Sequence, residues 1–310
     1  MVQAGVVILA FATVSGFCGD WFWFLDLFAH FRVQYFLASV ILGILLLVLR
    51  SFRFGLVSLI VAAANLVLLM PFYGGASVSP PQGETWKALL YNVNTRAGSP
   101  TAVVELVRDL EPDVVVLLEI DDRWVPEISE ISADYPNQVL KPRPDNFGIG
   151  LLSKFPLLDS KTVLLGSAEV PTILANVETS KGAVQVVATH PLPPIGSEYT
   201  RKRDEQLREL PGVLSPTYPV LLLGDLNTTP WGHSFRSLLA ESTLQDSMRG
   251  FGIQPSWPTG NLLFKIPLDH VLHSDRIQIH ERKLGRHVGS DHLHVFVEFS
   301  LREEKDANSE

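Results

Sequence analysis

Three long apolar runs open the chain, and a shorter, mixed rhythm replaces them after residue 85. Residues 2–19, 33–49 and 54–73 carry no charged side chain. About 20 apolar residues at a rise of ~1.5 Å each cover the hydrocarbon of a bilayer. The pattern therefore predicts three transmembrane helices within residues 1–73, with no charge inside them to suggest transport, so they read as an anchor. The second run is the shortest at 17 residues, and Trp21, Phe22, Trp23 and Phe24 before it suit an interface belt. A cleaved signal peptide is the alternative for the first run, but no positive residue precedes its apolar stretch.

Loop charge orients these helices. Arg50 and Arg53 lie between the second and third runs with no acid beside them, which places that loop in the cytoplasm. The first loop holds Asp20, Asp26 and a single Arg32, and residues 74–86 have no Lys or Arg. The expectation is an integral membrane protein of an inner or plasma membrane whose remaining part lies outside the cytoplasm.

Residues 74–85 contain Gly, Ser and Pro80-Pro81 without periodicity and read as a linker. Strand and helix patterns then follow closely. Residues 86–92 are a short apolar strand, and Ser99-Pro100 reads as a cap with proline at the first helical position. Val103, Val104, Leu106, Val107 and Leu110 give that helix one apolar stripe. Strands are expected at 113–119, 147–153, 173–178, 184–190, 220–225, 268–273, 277–284 and 293–299, and helices at 200–210 and 234–241. Strands outnumber helices and often follow one another directly, which predicts an α+β domain over 86–301. No internal repeat is visible, and residues 302–310 form a polar tail.

Composition sharpens this division. Overall, 46% of residues are hydrophobic and 19% charged, with a mean hydropathy of +0.20. Residues 84–310 nevertheless hold 22 of the 25 basic and 31 of the 33 acidic side chains. One cysteine, Cys18, excludes an intramolecular disulfide framework and a cysteine-built zinc site. Residues 84–301 carry 20 basic against 27 acidic residues, which gives no broad footprint for duplex DNA.

The candidate chemistry sits where apolar strands end. Asn92, Asn94, Glu119, His190, Asp225, Asn227, Asp269, His270 and the run Ser290-Asp291-His292 all lie at such ends. Oxygen ligands for a hard cation, a base for water and donors for a phosphoryl oxygen are what metal-assisted hydrolysis requires. Asn146 precedes Phe147 and Gly148 in a strand expected to open toward the same cleft and is a candidate substrate-binding residue. His270, His273, His280, His287 and His294 crowd the C-terminal region, but no His-x-x-x-His falls on an expected helix, so no zinc site is expected.

The ordered set Tyr91-Asn92-Val93, Leu118-Glu119, Gly148 through Ser153, Ala188-Thr189-His190, Gly224-Asp225-Leu226-Asn227, Leu268 through Val271 and Ser290-Asp291-His292 resembles the endonuclease/exonuclease/phosphatase superfamily, the DNase I-like fold. The resemblance runs over residues 86–299 and implies a four-layer α/β/β/α sandwich behind the three transmembrane helices. It implies Glu119 as the principal Mg²⁺ ligand, supported by Asn92 and Asp291, with Mn²⁺ as the alternative metal. Asp225 would orient or deprotonate the attacking water, and Asn227 would hold that water or a phosphate oxygen. His292, polarised by Asp269, and His190 would stabilise developing charge or carry protons. Arg203 and Gln206 would support the site from the helix behind His190, and Trp257 would stack on substrate or simply pack.

The expected function is thus a membrane-anchored, Mg²⁺-dependent phosphodiesterase or phosphatase acting on lipid head groups or small phosphoesters. An extracytoplasmic endo- or exonuclease is the second reading, and an inactive membrane-tethered binding module the third. Residues 2–73 would contact membrane lipid, and nothing in the sequence identifies a protein partner. Fold similarity alone does not choose among these substrates.

Overall fold

The structure, a computed structural model, describes residues 2–74 and 83–302. Most of the expected linker, residues 75–82, and of the expected tail, residues 303–310, lies outside the described residues.

The N-terminal part contains α1 (Val2–Ser15), α2 (Trp23–Asp26), a 3₁₀ turn (Leu27–Phe31), α3 (Arg32–Val48), α4 (Phe52–Leu69) and a second 3₁₀ turn (Met70–Phe72). Two helical stretches are long and apolar enough to cross a membrane, Trp23–Val48 with 26 residues and Phe52–Phe72 with 21. The expected third span is corrected: α1 has 14 residues, about 21 Å of helix at ~1.5 Å per residue. Its apolar sequence continues to Gly19, but the helix stops because the 3₁₀ turn crosses it at Gly16. A Cβ there would stand 2.5 Å from Arg32 Nη2 and 2.9 Å from the Ala29 nitrogen.

Two charges expected in an open loop are buried. Arg32 is enclosed among the helices, where it donates to the Thr13 carbonyl at 2.8 Å and to Asn65 Oδ1 at 3.5 Å. Its guanidinium also lies over the Phe17 ring. The helical part therefore does contain a buried charge, held through Nη1 by its neighbours, against the expectation of none. Asp26 is buried against the following domain, where Oδ2 accepts from Arg203 Nη2 at 3.3 Å and Oδ1 from the His233 backbone nitrogen at 2.7 Å.

The remaining chain runs β1 (Trp86–Asn92), α5 (Pro100–Leu110), β2 (Val114–Leu118), α6 (Trp124–Ser129), β3 (Asn137–Lys141), β4 (Ile149–Ser153), β5 (Leu157–Leu164), β6 (Pro171–Thr179), β7 (Gly182–Thr189), α7 (Ser197–Glu209), β8 (Val220–Asp225), α8 (His233–Glu241), β9 (Gln245–Asp246), β10 (Asp269–His273), β11 (Ile277–Leu284) and β12 (Val295–Leu301). Two six-stranded sheets form, ordered β11-β12-β1-β2-β4-β3 and β5-β6-β7-β8-β10-β9. Side chains alternate across each strand. Ala88, Leu90, Val114 and Val116 of the first sheet meet Val186, Ala188, Leu221 and Leu223 of the second in one central core. Leu89 and Tyr91 face the other way, onto Val103 and Val107 of α5 and Trp124 of α6. Val187 and Leu222 likewise pack on Leu207 of α7 and Phe235 of α8. The result is helices, sheet, sheet, helices, the layering that the resemblance implied. The strands β3 and β5 and the short α6 were not expected. Both strands are sheet edges, half-exposed over much of their length, so they lack the apolar runs that mark the interior strands.

The helical part is fastened to this sandwich at one end. Trp231 Nε1 donates to the Leu68 carbonyl at 3.2 Å, the Gly252 nitrogen to the Phe72 carbonyl at 2.7 Å, and His30 Nδ1 meets Thr229 Oγ1 at 3.0 Å. Ala29, Leu69, Phe72, Trp231 and Met248 form an apolar cluster there. Because the start of α3 and the end of α4 both meet the sandwich, Arg50 and Arg53 lie at the far end of the helices.

Removing one member of a buried ion pair typically costs ~3–5 kcal/mol, whereas replacing both by apolar groups is often close to neutral. Arg203→Met is expected to lower the stability of the full chain in mild detergent by about that amount. Asp26→Leu in the same background should recover more than half of the loss. Unfolding curves of the two singles and the double measure this, and strictly additive losses would show that the pair is not coupled.

Candidate active site

Each sheet has one parallel strand pair near its centre, β1 with β2 and β7 with β8. Their carboxyl ends emerge together. Asn92 ends β1, Glu119 follows β2, His190 follows β7 and Asp225 ends β8. The antiparallel neighbour β10 sets Asp269 directly opposite Asp225, and the segment before β12 adds Asp291 and His292. Gly224 is required at this crossing, since a Cβ there would lie 2.4 Å from the Thr189 carbonyl oxygen.

Asn92 joins the two sheets. Its Nδ2 donates to Glu119 Oε1 and to Asp225 Oδ2, each at 3.0 Å, while its Oδ1 accepts from the Asn94 nitrogen at 3.1 Å. Glu119 Oε2 accepts from the Thr95 nitrogen at 3.2 Å, and Thr95 Oγ1 donates to the Glu119 carbonyl at 2.9 Å. Glu119, Asn94 and Asn227 all hold left-handed backbone, with φ of 63°, 57° and 50°. For Glu119 that conformation costs on the order of 1–2 kcal/mol, and the two Thr95 hydrogen bonds hold it.

Asp225 lies between two imidazoles, 3.5 Å from His190 Nε2 and 3.7 Å from His292 Nε2. His292 Nδ1 donates to Asp269 Oδ2 at 2.8 Å, which leaves Nε2 to face Asp225. Asp269 is held in turn by Ser256 Oγ, which accepts from its nitrogen, and by Arg282 Nη2, which donates to its carbonyl. Burial disfavours a charge on His292, but Asp269 and Asp225 outweigh it and push the imidazole up to about 10. Burial likewise opposes protonation of His190, and the hydrogen bond and charge of Asp225 reverse that, so its pKa is raised. For Asp225 burial favours the neutral acid, yet His292 and His190 hold the carboxyl down at about 2. The buried trio is one coupled unit, a carboxylate between two imidazoles whose charged forms it favours.

Asn227 Nδ2 donates to the Pro191 carbonyl at 2.9 Å and lies 3.3 Å from His190 Nε2. Its carbonyl accepts from Arg203 Nη1 at 3.0 Å, and Gln206 Nε2 donates to Thr189 Oγ1 at 3.0 Å, so both α7 residues brace the strand ends from behind. Asp291 is fixed by Asn94 Nδ2 on Oδ1 at 2.6 Å and by Trp257 Nε1 on Oδ2 at 2.8 Å. Trp257 is half-buried with its ring centroid 6.3 Å from that of His292. Asn146 is exposed, and it is the adjacent Phe147 whose ring lies against His190, at 5.4 Å.

The structure thus brings His190, Asp225, Asn227, Asp269 and His292 together, with Asn92 bonded to both Glu119 and Asp225 and with Asp291 tied in through Asn94 and Trp257. Thr95 and Phe147 were missed, and single Thr and Phe residues in these positions carry no sequence signal of their own. The other histidines take separate structural partners: His270 the Thr228 carbonyl, His273 the Ser274 carbonyl and His294 the face of Tyr91.

An oxygen-rich donor set suits a hard divalent cation. Four carboxylates, those of Glu119, Asp225, Asp269 and Asp291, surround two imidazoles, so the cluster stays electron-rich even with both imidazoles protonated. Buried Asp269 Oδ1 has no protein partner. Among the described residues, Asp225, Asp269 and His292 also have ligand atoms within 4.8 Å of one another. There His292 Nδ1 is engaged with Asp269 and Nε2 faces Asp225.

Residues 89–292 match the endonuclease/exonuclease/phosphatase family. The fold is shared with an endonuclease/exonuclease/phosphatase from Beutenbergia cavernae, 21% identical over 71% of this chain and 72% of that one, with a TM-score of 0.61. It is shared also with D. rerio TDP2 in complex with a single-strand DNA product, at 15% identity over 70% of this chain and 100% of that one, TM-score 0.57. The human Nocturnin catalytic domain with bound sulfate matches at 18% identity over 70% and 95%, TM-score 0.55. No curated protein matches the sequence.

The His292 pKa depends first on Asp269. Asp269→Asn is expected to lower it from about 10 toward its ordinary value of ~6.5, read from the ring resonances in a pH titration with chelator present. The raised pKa also sets a sign for stability: the His292 contribution is full below ~6.5 and is lost as pH rises toward about 10. The substitution should flatten that loss, and an unchanged titration would remove Asp269 as its cause.

Proposed function

The chain belongs to the endonuclease/exonuclease/phosphatase family, and from that premise we propose that it is a membrane-anchored, divalent-metal-dependent phosphoesterase with Asp225 at the centre of its chemistry. The observation that carries this reading is the placement of Asp225 between His190 and His292 and, through Asn92, beside Glu119. Residues 86–301 would be the catalytic domain and residues 2–73 the anchor.

Glu119 and Asp291, with Asn92 between their segments, are the residues that would hold the cation, Mg²⁺ or Mn²⁺. When bound, it would neutralise charge on a phosphoryl oxygen. Asp225, ionised at neutral pH, accepts a proton from the attacking water and orients it. His292, kept cationic by Asp269, faces the same point and stabilises negative charge developing on the phosphoryl group. His190, whose protonated form Asp225 favours, stands on the other side of that carboxylate to supply a proton to the leaving oxygen, and Asn227 offers its amide to a phosphate oxygen or the water. These groups act as one unit, because each sets the protonation of the next. Every expected site position carries a residue competent for its role, which argues against an inactive binding module.

The arrangement of the helices supports an extracytoplasmic catalytic domain. Arg50 and Arg53 lie at the end away from the sandwich, and a loop of that charge favours the cytoplasm. Lipid head groups or small phosphoesters are then the natural substrates at that surface. Nuclease activity is the second reading, suggested by the DNA product bound to D. rerio TDP2. The excess of 27 acidic over 20 basic residues in 84–301 weighs against it.

The full chain in detergent, assayed with a bis-aryl phosphodiester and the matching monoester, is expected to turn over at least one of them with Mg²⁺ and neither with EDTA. Asp225→Asn and His292→Gln should each reduce kcat by about 10²–10⁴-fold without loss of fold. Turnover that survives either substitution, or EDTA, would overturn the assignment.

A further inference from the structure

One surface feature beside the site is unlike the rest of the sandwich. Leu262, Leu263 and Phe264 are 83%, 76% and 55% exposed, the only three consecutive large apolar side chains so exposed among the described residues of the C-terminal domain. They form a 3₁₀ turn at the tip of a loop, capped by Asn261 Oδ1, which accepts from the Leu263 nitrogen at 3.1 Å. The loop is pinched at its base by paired backbone hydrogen bonds between Trp257 and Ile266, of 3.0 and 2.6 Å. The loop is therefore held in shape, and its apolar tip is an ordered projection.

Its two ends connect different things. At the base, Trp257 donates to Asp291 and lies against His292, inside the site. At the tip, the Phe264 ring meets the Phe31 ring edge-on at 6.2 Å, and the Lys265 carbonyl accepts from Gln34 Nε2 at 3.1 Å. Phe31 and Gln34 belong to the helical stretch Trp23–Val48, at the end where it meets the sandwich. The apolar turn thus stands alongside a membrane-crossing helix at its point of entry, and its surface is continuous with the lipid-facing surface of that helix. Lys265 directly after the turn suits an anionic head-group layer.

We propose that the Leu262–Phe264 turn inserts into the leaflet facing the catalytic domain and holds Trp257, Asp291 and His292 at head-group level, so that the substrate is the phosphoester of a lipid that stays in the bilayer. This rests on the membrane-anchored phosphoesterase reading and adds the substrate class to it. A substrate whose apolar part remains among the acyl chains presents its phosphate at the depth where such a loop fixes the site, and a short aryl diester needs no such help. Apolar side chains beside polar tips are the usual way a protein surface settles into that interface.

The test uses the full chain with Cys18→Ser and one introduced cysteine, Leu263→Cys in the loop or Ile60→Cys in α4, labelled with an environment-sensitive nitrobenzoxadiazole. Each is reconstituted in vesicles of equal parts phosphatidylcholine and phosphatidylglycerol, with and without nitroxide-labelled acyl chains. Strong quenching at both positions is expected. Quenching at position 60 alone overturns the insertion and leaves the anchor standing, while quenching at neither overturns the anchor itself. A blue-shifted but unquenched label at 263 means that another protein surface, such as a second copy, covers the turn, and also overturns the proposal.

A second arm compares head-group release from vesicles of a total polar lipid extract with turnover of the soluble bis-aryl diester. Leu262→Ser with Leu263→Ser should reduce the first at least tenfold and the second less than twofold. An equal loss on both, no loss on lipid, or unsubstituted enzyme that cleaves the diester but no lipid overturns the substrate class. Absence of turnover on lipid, diester and monoester alike is instead the failure of the phosphoesterase reading.

Discussion

One amide holds two carboxylates together. Asn92 Nδ2 is shared between Glu119 on the first sheet and Asp225 on the second, and the faces of the sandwich meet at that point. Two carboxylates brought this close repel unless donors or cations intervene. The surroundings of Asp225 supply them: His190 and His292 on either side, the Asn227 nitrogen on Oδ1 and the Asn92 amide on Oδ2. The same need explains why each donor is itself braced. His292 is fixed by Asp269, Asn227 by Arg203 through its carbonyl, and Asn92 by Ser290 Oγ, which donates to its carbonyl at 2.7 Å.

The bracing reaches beyond the catalytic sheets. Arg203, buried within α7, touches the carbonyl of Asn227 with one nitrogen and the carboxylate of Asp26 with another. Asp26 ends α2 in the N-terminal helical part, and its second oxygen accepts from the backbone at the start of α8. His30 and Trp231 tie the same turn and α4 to residues 229–231, just beyond Asn227. The helical part therefore does more than tether. It supplies a buried counter-charge for the arginine whose other nitrogen holds the Asn227 carbonyl, so the two parts share one hydrogen-bonded seam.

What the sequence revealed follows from how each contact is encoded. Interior strands such as β8, and the polar residues at their ends, were legible because burial on both faces leaves an uninterrupted apolar run that a lone Asp or Asn terminates. Asp225, Asn227 and His190 were found in that way, while His292, which precedes β12, was found through the order of the whole set along the chain. The edge strands β3 and β5 were missed because half-exposed edges need no such run. Thr95 was missed because it acts through its backbone nitrogen as much as its hydroxyl, and any sequence has the former. The two sheets share one plan, an outer pair, a central parallel pair bridged by α5 or α7, then two more strands, yet the sequence shows no repeat. Alternation of apolar residues satisfies that plan without requiring any particular residue twice. Asp26 and Arg32 were taken for loop charges because their partners, Arg203 and Asn65, are distant in sequence, and burial by a remote partner leaves no local trace.

Orientation is the remaining link between fold and function. In each sheet the parallel pair sends its carboxyl ends to the same edge, so the site opens on the side from which the loops after β8 and before β10 emerge. Both loops touch the N-terminal helices, through Trp231 in the first and Lys265 in the second. A site built on this edge cannot be placed far from the helices that fasten to it. The position of the apolar turn at Leu262–Phe264 follows from the same geometry: the loop that carries Trp257 to His292 passes the start of α3, where Phe264 meets Phe31 and the Lys265 carbonyl accepts from Gln34.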